Sequence, residues 1–252
     1  MKGGPYSHFD FVVYLLSGLV IVVALDLATD NFGDGLIHNV DLLAVSGADI
    51  VMILAGAYLC GHVNSLMAHW VLQEGMTSTT LGRPSEKLLF GNPDSRIAYF
   101  HPLKPDILER IERRAKQEFD IDLSEKRKGD DREVFKRAHG HARRDENFVK
   151  TNENHLMAFN FSRNMTWALF MSVIFLCVRK ATGPMSDALD PAFLLEEERQ
   201  LCWVLTGMLA AFVLVAIRYL LFLRSYTKSV LTHYARGETA EVVEAASARV
   251  AA

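Results

Sequence analysis

CWVLTGMLAAFVLVAIRYLLFL, residues 202–223, carries one charge, Arg218, in an otherwise almost wholly apolar run. A helix needs about 20 predominantly apolar residues to cross ~30 Å of hydrocarbon, so this stretch predicts a transmembrane helix. Three more stretches read the same way. Residues 9–27, FDFVVYLLSGLVIVVALDL, qualify outright, and residues 50–72 qualify with more polar interruption. Residues 156–178 qualify once Asn160, Arg163 and Asn164 are placed near one end. No small-x-small cleavage pattern follows the first run, which is longer than a signal-peptide core, so a retained span is expected there. The fold class expected is therefore all-α: a polytopic membrane protein with four transmembrane helices and a helical cytosolic segment between the second and third.

The flanking charges orient these spans. Asp30, Asp34, Asp41 and Asp49 lie between the first two, with no Lys or Arg. Asp187, Asp190, Glu196, Glu197 and Glu198 lie between the last two, against Arg179, Lys180 and Arg199. Most basic residues fall between spans two and three, and Arg224, Lys228 and Arg236 follow span four. Cytosolic loops carry the Lys and Arg excess, so the middle segment and both termini are expected in the cytosol. The organisation read from this pattern is residues 1–72 as helices one and two, 73–155 as the cytosolic segment, 156–223 as helices three and four, and 224–252 as a cytosolic tail.

Elsewhere composition excludes more than it selects. The chain has 252 residues, half of them apolar, and a net charge of −3. A nearly neutral chain exerts no overall pull on nucleic acid, and the acids of the cytosolic segment interleave with its bases. No extended nucleic-acid surface is expected, although Arg110, Arg113 and Arg114 suffice for a cytosolic protein or a small nucleotide-type anion. The three cysteines, Cys60, Cys177 and Cys202, fall in or beside apolar blocks without a CxxC pair, which reads as reduced thiols.

Within the cytosolic segment, Pro105 and Asp106 open a helix on which Ile107, Ile111, Ala115 and Phe119 recur every fourth residue. Asp130 and Asp131 open a second, with Val134, Phe135 and Ala138 as its apolar side, and a third runs from Asn147 into span three. Stripes this narrow predict burial against neighbouring elements or against other copies of the chain, a first argument for a homo-oligomer.

Span two carries the densest signal. Gly56, Cys60, Asn64 and Ala68 recur every fourth residue, flanked by Ala57, Gly61 and Ser65, a spacing that lets another helix approach closely. His62 and His69 share one helix face, and Asn64 points to nearly the opposite side. Ionisable groups at membrane depth avoid lipid, so His62, Asn64, Ser65, His69, Asn160 and Arg163 are candidates either for a polar clamp between helices or for a pore. Asp187, Asp190 and Glu196 to Glu198 would form acidic rings at the outer mouth of such a pore.

Catalytic signatures do not emerge. HExxH, GxSxG, Walker A and GxGxxG patterns are all missing, so no enzyme activity and no cofactor is expected. Asp120 to Asp131 starts like a calcium loop but places Glu125 where the turn needs Gly. His139 and His141 would meet a metal together only if their helix broke at Gly140, and no metal site is assigned.

The stretch AYLCGHVNSLMAHWVLQEGMTSTTLGRPSEKLLFG, with FSRNMTWALF and RYLLFLRSY, resembles a pattern in uncharacterised bacterial four-helix membrane proteins. The layout is similar to the membrane effector of Hailong-type anti-phage defence. That resemblance implies a bacterial inner-membrane protein that oligomerises and depolarises the cell when a nucleotide-type signal changes; no functional residue is carried over. The function expected is a homo-oligomeric channel or membrane-disrupting effector gated through its cytosolic segment. The alternative is a non-conducting anchor or sensor that scaffolds a cytosolic partner.

Overall fold

Seven α-helices follow one another in the computed structural model, which describes residues 8–28, 47–95, 98–125, 129–182 and 191–251. They are α1 (His8–Ala28), α2 (Gly47–Met67), α3 (Pro84–Phe90), α4 (Pro105–Phe119), α5 (Asp130–Ala142), α6 (Glu146–Thr182) and α7 (Pro191–Ala251). A π-helix, Ala68–Leu81, continues α2, and no strand occurs among the described residues. Four helical stretches are long and apolar enough to cross a membrane, one in each region anticipated from hydropathy.

The chain divides into two units. The first comprises Met1–Met76 and Asn160–Tyr219; the second comprises Thr77–Phe159 and Leu220–Ala252. The π-helix, α6 and α7 each contribute residues to both.

In the first unit polar side chains are buried while many large apolar ones face outward. Its interior mixes small and polar residues, Ser17, Ala57, Asn64, Ser162, Asn164, Thr166 and Ser172, with the apolar Val13, Trp167, Leu176 and Tyr219. Its surface is large and apolar, with Val51 65%, Met52 70%, Leu59 65%, Trp203 72% and Leu214 68% exposed. Interior hydroxyls bond back into their own helices, Thr166 Oγ1 to the Ser162 carbonyl at 2.7 Å and Ser172 Oγ to the Ala168 carbonyl at 2.8 Å. Helices α1 and α2 run antiparallel in backbone contact. Gly18 abuts the carbonyl of Ala57 and Gly61 abuts the carbonyl of Tyr14, so a Cβ at either glycine would overlap the opposite backbone. The row of close approach is therefore Ala57 and Gly61, not the neighbouring row of Gly56 and Cys60. A Cβ at Gly56 would meet nothing within 4 Å.

The second unit has ordinary polarity. Pro105 starts α4 with Asp106 in its first turn, and Asp120 ends it in the left-handed region at φ 56°, its N–H returning to the Lys116 carbonyl and that of Ile121 to the Ala115 carbonyl. Gly129 at φ 106° leads into α5, where Asp130, Asp131 and Glu133 occupy the first turn and favour the positive end of the helix dipole. Buried Asp131 also accepts a hydrogen bond from Ser85 Oγ at 2.9 Å, which joins α5 to α3. Leu88, Leu103, Ile111, Ala115, Val134 and Ala138 build one core with Val230, Leu231, Tyr234 and Ala235 of α7. This corrects one expectation. The stripes of α4 and α5 do not wait for another copy, because the residues set apart in the sequence as a tail supply the missing wall. The oligomer argument drawn from those stripes falls with it.

Candidate functional site

Three of the six polar residues singled out in the spans, Asn64, His69 and Arg163, come together in the first unit. Asn64 is 3% exposed, and its Nδ2 donates to the Asn164 carbonyl on α6 at 2.9 Å. One residue earlier on α6, Arg163 donates through Nη1 to Gln73 Oε1 at 3.2 Å and through Nε to Asn164 Oδ1 at 3.4 Å. His69 Nδ1 shares the same Gln73 oxygen at 3.4 Å. His69, Gln73, Arg163, Asn164 and Asn64 thus form one chain of contacts between α6 and the continuous helix of residues 47–81. Low dielectric strengthens such a network wherever its members are satisfied. One member is not: Asn64 Oδ1 is buried without a hydrogen-bond partner.

His62 takes the other side of α2. Its ring lies 4.2 Å from that of Tyr14 and 4.7 Å from that of Tyr58, the second contact edge-on. With Tyr14, Val63, Ser65 and Leu66 it lines an open groove of about 430 Å³. His62 and Ser65 are each half-buried there, while Val63 is 63% and Leu66 59% exposed. His62 and His69 do not share this groove, so the two histidines serve different surroundings. Asn160 is half-buried one turn before Arg163.

At the other end of the same unit, Arg179 donates to the Leu27 carbonyl and Lys180 Nζ lies 3.1 Å from Cys202 Sγ, tying α6 to α1 and α7. Of the outer acidic residues, Asp187 and Asp190 lie outside the described residues. Glu196, Glu197 and Glu198 lie on α7, and their side chains are outside the description.

The three arginines read as ligand candidates, Arg110, Arg113 and Arg114, separate. Arg110 is exposed, and Arg113 is exposed and paired with Glu109 at 3.0 Å. Arg114 is 4% exposed and structural: Nη1 donates to the Tyr234 carbonyl at 2.6 Å, Nε pairs with Glu118, and the guanidinium lies 4.4 Å from the centre of the Tyr234 ring. Tyr234 in turn donates its hydroxyl to Glu118 Oε2 at 3.0 Å. Arg114 is thus turned inward, with one donor on α7 and another on Glu118 of its own helix, which leaves Arg110 and Arg113 as the exposed members of the three.

The histidines of α5 also separate. The helix runs through Gly140 unbroken, so His139 and His141 point apart. His139 Nε2 meets the Tyr226 hydroxyl at 3.0 Å, whereas His141 lies near Glu118 and the Tyr234 ring. Burial pushes the His139 imidazole below its ordinary range, and nearby Arg143 adds to the shift. Among the described residues no three His, Cys, Asp or Glu side chains gather where a metal would need them. Asp122 of the calcium-like stretch instead closes a turn, accepting the Ser124 amide at 3.0 Å.

Two members of this network, Gln73 and Asn164, were not singled out from the sequence. Gln73 lies one residue past the apolar run of span two, and Asn164 was noted there only as a polar interruption. A search for polar residues flanking each run, rather than within it, would have raised Gln73. Comparison with protein-family models, with curated proteins and with solved structures finds no match for this chain.

Proposed function

We propose that this chain sits in the bacterial inner membrane as a homo-oligomeric channel or membrane-permeabilising effector, with its second unit and both termini in the cytosol and the second unit controlling the first. Membrane residence is supported by four helical stretches long and apolar enough to cross a bilayer, which leave many large apolar side chains exposed. The charge asymmetry of the loops supports the orientation. The observation that carries the channel reading is the groove holding half-buried His62 and Ser65 on the outside of the α1–α2 pair. Polar groups at membrane depth avoid lipid, and a second copy or a water-filled path gives them surroundings that acyl chains do not.

Planar bilayers containing the purified chain should therefore carry ionic current, and His62→Leu should abolish most of it while leaving the oligomer intact. Intact oligomers that stay silent under every gating condition would overturn this reading. The defensive setting rests on likeness of layout alone; it predicts that phage plate less efficiently on cells carrying the chain than on cells carrying His62→Leu.

A second reading, a non-conducting anchor for a cytosolic partner, is favoured by a different observation. Three polar groups of the first unit, Asn64, Arg163 and Asn164, engage one another within one copy. In that case the chain should capture its partner through surface residues, and charge reversal at exposed Arg110 and Arg113 should weaken capture without unfolding the second unit.

A further inference from the structure

Asn64 and Gln73 are nine residues apart. At about 100° per residue an unbroken α-helix would set them on opposite faces. Yet both meet adjacent residues of α6, Asn64 through the Asn164 carbonyl at 2.9 Å and Gln73 through the Arg163 guanidinium at 3.2 Å. The change of winding reconciles these contacts. From Ala68 onward the chain is π-helical, and the i→i+5 bonded turn advances by only roughly 80° per residue. Over the five steps from Ala68 to Gln73 the difference accumulates to roughly 100°, enough to swing Gln73 from the far side toward α6.

Runs of π-helix are ordinarily single turns, because the hydrogen-bond geometry of the α-helix is better. A π segment of 14 residues therefore needs something outside its own backbone to hold it. The Arg163 contact to Gln73 is such a hold, and His69 shares the same oxygen. The sequence also provides for the other winding. An α-helix continued from Ala68 would bring Gly75 to within about 20° of Ala68, and so onto the row of Ala57, Gly61, Asn64 and Ala68 that packs inward. Gln73 would then turn roughly 140° away from Ala68, out of reach of Arg163.

We propose that Ala68–Leu81 is a two-state helical switch, wound as a π-helix while Arg163 holds Gln73 and rewound as an α-helix when that contact is released. The switch requires no current through the protein, since both windings are states of one chain.

Nitroxide labels placed singly at positions 69–72, 74, 75 and 79–81 of the full chain in lipid nanodiscs, with Cys60, Cys177 and Cys202 replaced, test it by the period of oxygen accessibility. The otherwise unaltered chain should show a period of about 4.4 residues, and Gln73→Leu should shift it to about 3.6. Gln73→Glu keeps an acceptor for Arg163 and should retain the longer period. A period of about 3.6 in the parent chain overturns the proposal. So does a period left unchanged by Gln73→Leu, or a shift of equal size in Gln73→Glu.

Discussion

Arg114 and Tyr234, 120 residues apart in the chain, are joined twice: the guanidinium donates to the tyrosine carbonyl at 2.6 Å and lies 4.4 Å from the centre of its ring. The carbonyl belongs to α7, so a charged residue of α4 fastens the C-terminal part of the last helix to the core of the second unit. Gly237 leaves room for it, since a Cβ there would press on the Arg114 guanidinium.

Removing that arginine should cost far more than removing its neighbours. Arg114→Ala deletes a buried charge-assisted bond and a cation–π contact and leaves Glu118 with the Tyr234 hydroxyl but without its guanidinium. A loss of about 2–4 kcal/mol in the second unit is expected. Arg110→Ala should stay within about 0.5 kcal/mol, because that side chain is exposed. Arg114→Lys should recover only part of the loss, since an ammonium lacks the planar fork. Amide hydrogen exchange across α4 in the full detergent-solubilised chain reads all three, and equal protection in the Arg110 and Arg114 variants would contradict the assignment.

Gly61 makes the corresponding prediction for the first unit. Gly61→Ala drives a methyl into the Tyr14 carbonyl and must push α1 away from α2, with a loss of about 1–3 kcal/mol or more. Gly56→Ala, five residues earlier and roughly 140° round the helix, meets nothing within 4 Å and should be close to neutral. Reversible unfolding of both variants in mixed detergent micelles decides it: equal losses would mean that the two helices do not meet along the Ala57 and Gly61 row.

How far the chain could be read without coordinates depended on the range of the interaction. Apolar runs and turn residues act locally, so the helix starts at Pro105 and Asp130 and the passage of α6 into the third apolar run were legible from neighbouring residues alone. Partners separated by a hundred residues leave no local trace. Nothing near Ile111 or Val134 announces that Val230 and Leu231 complete their core, and so the stripes suggested another copy. Residue type misled at Arg114, where a cationic cluster looked solvated although one of its members faces inward. The winding of residues 68–81 was illegible for a different reason. Hydrophobic periodicity assumes one helical pitch, and a π-helix changes the pitch without changing composition.

His139 links the second unit to pH. Its imidazole is held below the ordinary range by burial, with Arg143 adding to the effect, and it faces the Tyr226 hydroxyl of α7. Between that lowered value and about 6.5, the unfolded chain binds more protons at this site than the folded one, so stability rises with pH across the window. His139 thus contributes fully above about pH 6.5 and progressively less as the pH falls through that range. The site is half-exposed, and after solvent screening the change should be below about 1 kcal/mol. Hydrogen exchange of α5 in the full chain, measured from pH 7.5 down to about 5, should lose part of this dependence in His139→Gln. An unaltered pH profile in that variant would show that His139 is not responsible.

Asn64 offers the sharpest check on the polar network of the first unit. Hydrogen bonds between helices in lipid average about 0.6 kcal/mol and reach about 1.7 kcal/mol at most. Asn64 donates one such bond, to a carbonyl that also belongs to the backbone ladder of α6. Against that gain stands its buried and unpartnered Oδ1, whose desolvation works the other way. Leucine branches at the same carbon and removes both terms together. Asn64→Leu should therefore change the stability of the first unit by less than about 1 kcal/mol in reversible detergent unfolding. A loss above about 2 kcal/mol would mean that Oδ1 is engaged in the assembled protein. An ordered water or a helix from another copy would then supply the donor, and repeating the measurement at increasing detergent-to-protein ratios separates the two, because only the second weakens on dilution.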